Sequence, residues 1–260
     1  MKIVRFAVNG EVQYGVLDDQ VVRGYVGSPF CQTGGEPLFH PDGTTFSLSE
    51  VRLLVPCEPT KVVGIGLNYH AHVEEKGFKL PEVPILFIKP TTALIGPGEY
   101  IIRPPVGGRI DYEGEVGVVI GKRARHVPPE RASECILGYT CVNDVSARYC
   151  QDTDGQWTRG KGFDTFCPVG PCIAALPDPK KIKIETLVNG EVRQSSDTSY
   201  LIFGIAELIA FITKVMTLLP GDIIATGTPE GIGAIDAGDT VEVRVEGVGV
   251  LSNPVSNEGS

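Results

Sequence analysis

Residues 109–122 read R-I-D-Y-E-G-E-V-G-V-V-I-G-K and combine two acidic side chains with an apolar, β-branched run. Such residues favour strands, and successive side chains of a strand point to opposite faces. Glu113 and Glu115 are two positions apart, so on a strand they point to the same face. The stretch therefore predicts a buried strand that carries two carboxylates side by side.

A third carboxylate, Asp144, follows the next apolar run, I-L-G-Y-T-C-V at residues 136–142. Three converging carboxylates repel one another unless a cation lies between them or their pKa values rise. Oxygen ligands with no thiolate or imidazole beside them suit Mg²⁺, Mn²⁺ or Ca²⁺ better than Zn²⁺. Taken alone, each acidic feature is more often a solvated sheet face or a turn, but the apolar character of both runs favours a metal site.

Composition and charge exclude several classes of protein. The 260 residues are 42% hydrophobic and 21% charged, as in an ordinary folded chain, and the net charge of −9 disfavours a nucleic-acid surface. The longest apolar run, residues 201–212, contains Glu207 and is too short to span a membrane, and residues 1–10 lack the apolar core of a signal peptide. We expect a cytoplasmic protein with neither a nucleic-acid nor a membrane partner.

The seven cysteines of the chain form no C-x-x-C pair and are interpreted as reduced thiols.

The order of elements predicts a small N-terminal β domain (1–58), a main domain (59–252) and a tail (253–260). Residues 2–8, 11–17 and 20–26 are β-rich, and Asn9-Gly10 between the first two is a strong hairpin signal. The Gly- and Pro-rich residues 27–45 are interpreted as a connecting loop. Apolar residues at three- and four-residue spacing over 199–218 predict a long amphipathic helix, and 252–260 is interpreted as a frayed tail.

The pair Gly64-x-Gly66 follows a predicted strand and resembles the start of a dinucleotide-binding fingerprint. Tyr69 stands where the third glycine of that fingerprint belongs. The spacing therefore excludes a Rossmann phosphate loop.

Residues 68–76 predict a short helix that has Asn68 as its N-cap and ends before a glycine. On this helix His72 and Glu75 lie at i, i+3, and His70 and Glu74 lie at i, i+4. A histidine that is oriented by a carboxylate is a typical general base. Either pair fits that role, and either pair can also be a solvated chance pair.

Other polar residues are candidates for substrate contacts. Arg148 and Gln151 follow Asp144 at +4 and +7, a helical spacing that keeps them on one side, and Arg148 could bind a carboxylate or form a salt bridge. Gly227 and Thr228 could present an N–H and a hydroxyl to an anion, or form a plain turn.

Two lysines complete the set of candidates. Lys161 lies in residues 156–166, Q-W-T-R-G-K-G-F-D-T-F, which have the glycine-flanked composition of a functional loop. Lys89 ends a predicted strand at residues 84–90 and is interpreted as solvated.

Four motifs, in this order, are similar to the signatures of the fumarylacetoacetate hydrolase family. They are Y-E-G-E-x-x-V-V-I-G-K, G-Y-x-x-x-N-D-V-S-A-R-x-x-Q, K-G-F-D and P-G-D-I-I-A-T-G-T-P-E-G-I-G, which begin at residues 112, 138, 161 and 220. The resemblance covers roughly residues 60 to 250. It implies a mixed β fold with few helices, a rolled, β-clip-like sandwich next to the N-terminal β domain, and makes 59–252 the catalytic domain.

The resemblance also implies roles for the candidate residues. In the family the paired glutamates and the aspartate hold a divalent cation, usually Mg²⁺, which gives the metal ligands Glu113, Glu115 and Asp144 here. The motif N-Y-x-x-H-x-x-E and the family's active-site lysine imply that the catalytic residues are His72, Glu75 and Lys161. The implied substrate-binding residues are Arg148, Gln151, Gly227 and Thr228. Family members are usually homodimers.

We therefore expect a Mg²⁺-dependent enzyme that cleaves a small 2-oxo acid, such as an acylpyruvate or oxaloacetate, by C–C hydrolysis or decarboxylation. A 2-oxo acid can chelate a divalent ion through its carboxylate and 2-oxo oxygens, which stabilises the enolate of pyruvate. Mn²⁺ or Ca²⁺ could replace Mg²⁺. The alternatives are an isomerase or decarboxylase of 2-hydroxyhepta-2,4-diene-1,7-dioate or 5-carboxymethyl-2-hydroxymuconate, and a non-catalytic metal-binding β domain.

Overall fold

The structure of the chain is a computed structural model that describes residues 1–30 and 38–259. Within these ranges the strands are β1 (Lys2–Val8), β2 (Glu11–Asp18), β3 (Val21–Gly27), β4 (Phe39–Ser47), β5 (Arg52–Leu53), β6 (Val62–Gly66), β7 (Ile85–Lys89), β8 (Leu94–Ile95), β9 (Ile101–Arg103), β10 (Ile110–Tyr112), β11 (Gly114–Ile120), β12 (Ile136–Asn143), β13 (Ser146–Ala147), β14 (Cys167–Ala174), β15 (Lys183–Val188), β16 (Glu191–Asp197), β17 (Ile223–Ala225), β18 (Gly233–Ala234), β19 (Thr240–Val245) and β20 (Gly249–Asn257).

The helices of the described residues are few and short. They are α1 (His70–Lys76), α2 (Arg148–Asp154), α3 (Thr158–Lys161) and α4 (Ile205–Val215), with 3₁₀ turns at Leu48–Glu50, Thr91–Ala93, Pro129–Cys135 and Thr198–Tyr200. The predicted mixed β fold with few helices is confirmed. No helix of the described chain is long and apolar enough to cross a membrane.

The largest sheet runs from the N-terminal meander to strands β6 and β7. Its strand order is β4-β3-β2-β1-β14-β12-β11-β17-β6-β7, with β5 beside β1 and β8 beside β14. The N-terminal meander is continuous with this sheet because β1 pairs with β14, where Lys2 lies opposite Ala174. Most pairs are antiparallel, but β17 and β6 run parallel.

Two smaller sheets complete the fold, in the orders β16-β15-β19-β20-β9 and β13-β10-β18. Apolar side chains of β11, α4 and β19 belong to one core, which includes Val116, Val118, Ile120, Leu208, Ile209, Ile212, Val243 and Val245. Helix α4 and the five-stranded sheet therefore cover one face of the large sheet. Burying a side chain of this size stabilises the fold by about 1.5–3 kcal/mol.

Two segments that were predicted to be irregular contain strands. Residues 39–45 of the predicted 27–45 loop belong to β4 (Phe39–Ser47), which pairs with β3 across a register shift. Residues 31–37, with Cys31, lie outside the described residues. The predicted frayed tail is wrong as far as Asn257, because Val255 of β20 pairs in parallel with Ile101 of β9. The other six cysteines are free, as predicted, and all six are buried.

The predicted helix at 199–218 is shorter than expected, because it begins only at Ile205. Gly204 is its N-cap, and Glu207 Oε2 accepts a hydrogen bond from Gly204 N at 2.8 Å. The residues before it are a 3₁₀ turn at Thr198–Tyr200 and a bend, where Asn68 O accepts from Ile202 N at 2.8 Å and Asn68 Oδ1 accepts from Phe203 N at 2.9 Å. Apolar periodicity continues across such a break and could not reveal it.

A buried aspartate fixes the start of the parallel pair β6 and β17. The side chain of Asp222 is fully buried and forms an ion pair with Lys61 Nζ at 2.5 Å. It also accepts from Thr60 N at 2.9 Å, Thr60 Oγ1 at 2.7 Å and Leu219 N at 2.8 Å. This carboxylate therefore satisfies donors on both sides of the strand pair.

Asp222→Ala should lower the free energy of unfolding by about 3–5 kcal/mol, because it leaves buried donors and a cation without their acceptor. Urea-induced unfolding measures the loss. Asp18→Ala is the matched control, because Asp18 pairs with Arg23 at 3.3 Å on the surface, where an ion pair contributes about 0–1 kcal/mol. Equal losses in the two variants would contradict the account.

Candidate functional site

A cavity of about 380 Å³ lies where β6, β11 and β12 meet helices α1, α2 and α3. Most of the residues predicted to act together line it, namely His72, Glu113, Glu115, Asp144, Arg148, Gln151, Lys161 and Thr228. The remaining lining residues are Ile65, Gly66, Leu67, Lys76, Phe78, Phe87, Arg109, Asp152 and Trp157. The cavity thus combines a polar floor with an aromatic wall.

The three predicted metal ligands converge on the floor of the cavity. Glu113 lies between β10 and β11, Glu115 is the second residue of β11, and Asp144 directly follows β12. The backbone brings the segments together, since Asp144 N donates to Glu113 O at 2.8 Å, and Glu113 N donates to Asn143 Oδ1 at 3.0 Å. One carboxylate oxygen from each acid lies within 4.8 Å of the others, and all three residues are buried.

Two buried lysines neutralise part of this acidic cluster. Lys161 Nζ donates to Asp144 Oδ2 at 2.5 Å and to Glu113 Oε2 at 2.8 Å. Burial alone would lower the pKa of Lys161, but Asp144 and Glu113 raise it above its ordinary value. Lys89 Nζ donates to Asp144 Oδ1 at 2.5 Å, and its side chain is fully buried, so the prediction that Lys89 is solvated is wrong.

Arg148 is held by three side chains of the protein itself. Its Nε donates to Asp111 Oδ2 at 2.7 Å, its Nη1 donates to Gln151 Oε1 at 2.7 Å, and its Nη2 donates to Glu113 Oε1. Burial opposes the charge on Arg148, but Glu113 and Asp111 raise its pKa above the ordinary value. The cation is therefore permanent, and it retains two unused N–H groups that can face a ligand.

The prediction that Asp144, Arg148 and Gln151 share one helix is only partly correct. Helix α2 begins at Arg148, while Ser146–Ala147 forms strand β13. The three residues still face one cavity, because the chain turns at the end of β12. Around Lys161, the predicted loop contains the short helix α3.

Glu115 differs from the other two acids, because it pairs with no cation in the described chain. It accepts a hydrogen bond from Gly227 N at 2.8 Å. Burial, Asp144 and Glu113 raise the pKa of Glu115 well above its ordinary value, whereas Lys161 and Arg148 hold the pKa of Glu113 below it despite its burial. The cluster thus has unmatched negative charge at Glu115. Together with Glu113 and Asp144, Glu115 provides three hard oxygen donors, and a divalent cation such as Mg²⁺ or Mn²⁺ fits such a set.

Helix α1 places one of its two histidines against the cavity. His72 is buried, and its Nδ1 lies 3.3 Å from Glu75 Oε2, whereas His70 and Glu74 are exposed. Since a carboxylate only accepts hydrogen bonds, the pairing puts the proton on Nδ1 and leaves Nε2 free to accept one. Burial lowers the pKa of His72, although Glu113 and Glu75 oppose this, so the imidazole is neutral at pH 7.

Asn68 is not the N-cap of this helix, contrary to the prediction. The helix begins at His70 with Tyr69 as its N-cap residue, and no side chain caps it. The fully buried Asn68 amide instead donates to Phe203 O at 3.1 Å and Thr226 O at 2.8 Å. These hydrogen bonds connect the segment before α1 to Thr226, which lies between β17 and the 227–231 loop.

The two glycines that suggested a dinucleotide fingerprint have a packing role. A Cβ at Gly64 would lie 2.2 Å from the Phe87 ring, and a Cβ at Gly66 would lie 2.2 Å from the Trp157 ring. The two rings pack edge to face with centroids 5.5 Å apart, and Phe87 lies 5.0 Å from Lys161 Nζ. Because these glycines have no side chain, the rings of Phe87 and Trp157 can form the aromatic wall of the cavity. Neither this wall nor Asp111, which holds Arg148, was predicted from the sequence.

Comparisons with known proteins identify the family of the chain. The family model described as "Fumarylacetoacetate (FAA) hydrolase C-terminal" matches residues 61–256, and "Rv2993c-like, N-terminal" matches residues 1–56. Oxaloacetate tautomerase Fahd2a of Rattus norvegicus is 41% identical over 219 residues, which cover 80% of this chain and 70% of the rat protein.

Solved structures are similar over the whole chain. The 5-carboxymethyl-2-hydroxymuconate delta-isomerase of Mycobacterium smegmatis is 45% identical with a TM-score of 0.91, covering 99% of this chain and 100% of that one. Maleylpyruvate hydrolase of Sphingobium sp. SYK-6, in complex with manganese(II) and pyruvate, is 30% identical with a TM-score of 0.80, covering 99% of both chains.

Glu115→Gln and Asp144→Asn should differ in stability although both should lose metal binding. In Glu115→Gln the metal-free protein should be at least as stable as wild type at pH 7, because the raised pKa of Glu115 means that its charged form destabilises the fold. Asp144→Asn should lose about 3–5 kcal/mol, because the buried Lys89 loses its only counterion among the described residues and Lys161 keeps only Glu113. Thermal unfolding in EDTA and in excess Mn²⁺ measures both effects. Two results would contradict this interpretation. One is a rise in melting temperature on adding Mn²⁺ that is as large in Glu115→Gln as in wild type, and the other is equal stability of the two metal-free variants.

Proposed function

The chain belongs to the fumarylacetoacetate hydrolase family of enzymes, and we propose that it acts at C3 of a small 2-oxo acid, with oxaloacetate as the first candidate substrate. The proposed reaction is keto–enol tautomerisation, in which a proton leaves C3 and a proton reaches the 2-oxo oxygen. Membership of an enzyme family argues against the alternative of a non-catalytic metal-binding domain.

The observation that carries the proposal is the placement of one neutral base beside a cluster of fixed cations. His72 Nε2 is free to take the C3 proton, and Glu75 at Nδ1 stabilises the imidazolium that results. Lys161 and Arg148 keep their charge throughout, so they can hold the anionic substrate and the negative charge that develops on its oxygen.

The metal site supplies the remaining part of the chemistry. A divalent cation held by Glu113, Glu115 and Asp144 would polarise the 2-oxo group and make the C3 protons more acidic. We propose Mg²⁺ for this site, with Mn²⁺ as a substitute. With Glu115 ionised, the acids Asp111, Glu113, Glu115 and Asp144 are balanced by the cations Lys89, Arg109, Arg148 and Lys161, which pair with Asp111, Glu113 and Asp144. A divalent cation would add two positive charges to this balanced set, which favours an anionic substrate.

Cleavage of the bond to C3, the reaction expected from the sequence, is the second candidate. It would use the same residues, with His72 activating water for hydrolysis of an acylpyruvate, or with loss of CO₂ from oxaloacetate. The maleylpyruvate hydrolase of similar fold supports it.

Homodimerisation remains a proposal, which sedimentation velocity would test.

A cation at the rim of the cavity favours a substrate with two carboxylates. Lys76 lies one turn after His72 on α1, lines the cavity, and forms no ion pair or hydrogen bond with any described residue. Burial and the nearby cations Arg148 and Arg109 lower the pKa of Lys76, although Asp111 and Glu113 oppose this. The second carboxylate of oxaloacetate would supply the missing anion.

His72→Ala should lower the rate of oxaloacetate tautomerisation by about 10²–10⁴-fold, because general-base catalysis contributes about that much. His70→Ala is the matched control and should be close to wild type, because His70 is exposed and does not line the cavity. Rates are measured with Mg²⁺ present, following enol absorbance, pyruvate and CO₂ separately. A severe loss in His70→Ala with an unaffected His72→Ala would refute the assignment. Wild-type protein that is inactive on oxaloacetate and on acylpyruvates would refute the proposed function.

Lys76→Met should raise the KM of oxaloacetate by roughly tenfold or more, because a hydrogen bond to a charged group contributes about 1.5–3 kcal/mol. The inhibition constant of pyruvate, which has one carboxylate, should change little. Lys79→Met is the control, since Lys79 is exposed and does not line the cavity. Equal weakening of oxaloacetate and pyruvate by Lys76→Met would refute the role of Lys76 in selecting a diacid.

A further inference from the structure

Gln194 lies on β16, behind the floor of the cavity, and bridges two segments that carry site residues. Its side chain is buried, with 1% of the residue exposed. Its Oε1 accepts from Gly114 N at 3.0 Å, and its Nε2 donates to Thr228 Oγ1 and to Pro229 O, both at 2.8 Å. We propose that Gln194 is a positioning residue that holds the acid-bearing strand β11 and the 227–231 loop in the alignment needed for metal binding and catalysis.

The first of these segments contains the acidic cluster. Gly114 stands between Glu113 and Glu115, so a hydrogen bond to Gly114 N fixes the backbone from which both carboxylates project. Thr228 closes the connection, because its hydroxyl donates to Gly114 O at 2.9 Å while it accepts from Gln194. Movement of the Gln194 amide would therefore shift both acids relative to Asp144.

The second segment, the 227–231 loop, contacts both the acids and the base. At one end Gly227 N donates to Glu115 Oε2 at 2.8 Å. At the other end Gly231 N donates to Glu75 Oε1 at 3.2 Å, and Glu75 orients His72. Gln194 contacts the middle of this loop at Thr228 and Pro229, so one amide supports the alignment of both ends.

The absence of a side chain at Gly114 allows this bridge to form. A Cβ at position 114 would lie 1.9 Å from Thr186 Oγ1 and 3.3 Å from Gln194 Oε1. Thr186 and Gln194 are opposite each other in the β15–β16 pair. The five-stranded sheet can therefore approach β11 closely enough for a short amide side chain to reach its backbone.

The test uses Gln194→Met, which has a similar length and no hydrogen-bonding amide. Isothermal titration with Mn²⁺ at 25 °C should show metal affinity about 10–100-fold weaker, the effect typical of residues that orient metal ligands. At saturating Mn²⁺, kcat on oxaloacetate should fall by a similar factor, while KM should change less, because Lys76 and Arg148 are left in place. A purely structural role would lower the melting temperature and leave the Mn²⁺ affinity and kcat unchanged.

Thr186→Val is the matched control. Thr186 is buried opposite Gln194, and its hydroxyl has no hydrogen-bond partner in the described chain, so valine keeps its shape and removes nothing the site uses. Its Mn²⁺ affinity and kcat should equal those of wild type.

Gln194→Glu keeps the shape and the acceptor for Gly114 N, but loses the donor to Thr228 and Pro229. It should therefore lower kcat even if the methionine variant does not fold. Wild-type Mn²⁺ affinity and kcat in both Gln194 variants would refute the positioning role. This role depends on the proposed function, so wild-type protein that binds no Mn²⁺ would refute both, whereas metal binding unaltered by the substitutions would refute only the role of Gln194.

Discussion

Repulsion among buried carboxylates is the constraint on which the site depends. Glu113, Glu115 and Asp144 lie within 4.8 Å of one another with little access to water. Their charges are tolerated because Lys89, Arg148 and Lys161 reach them from β7, α2 and α3. These compensating cations leave Glu115 unmatched, so a divalent cation would fit the cluster, and its binding would stabilise the folded chain.

The sequence could predict those features that depend on local pattern. Alternation placed Glu113 and Glu115 on one face, and the end of an apolar run marked Asp144. Spacing alone left two possible pairs on α1, and only the resemblance to the family selected His72 with Glu75. Local pattern could not show that Lys89 is buried against Asp144, because that contact joins residues 55 positions apart. A lysine at the end of a strand is usually solvated, and only the folded arrangement shows that this one has a buried counterion.

Similar limits apply to glycines and amides. Gly64, Gly66 and Gly114 each mark a close approach, but spacing does not reveal what approaches them, and for the first two it could only exclude a phosphate loop. Asn68 was predicted to be an N-cap, because its partners at Phe203 and Thr226 are distant in the sequence and local pattern does not show them. For the same reason the amphipathic pattern over 199–218 could not show that Asn68 binds the backbone of Ile202 and Phe203 outside the helix.

Tautomerisation, isomerisation and cleavage of a 2-oxo acid can all place electrons on C3, so the proposed arrangement of base, cations and acids is compatible with each of these reactions. The most direct test is NMR of oxaloacetate in D₂O with the protein and Mg²⁺, following the C3 protons and the methyl signal of pyruvate together. The account predicts that the protein accelerates exchange of the C3 protons for deuterium in a metal-dependent manner, whether or not pyruvate forms. An exchange rate equal to that in buffer with Mg²⁺ alone would contradict it.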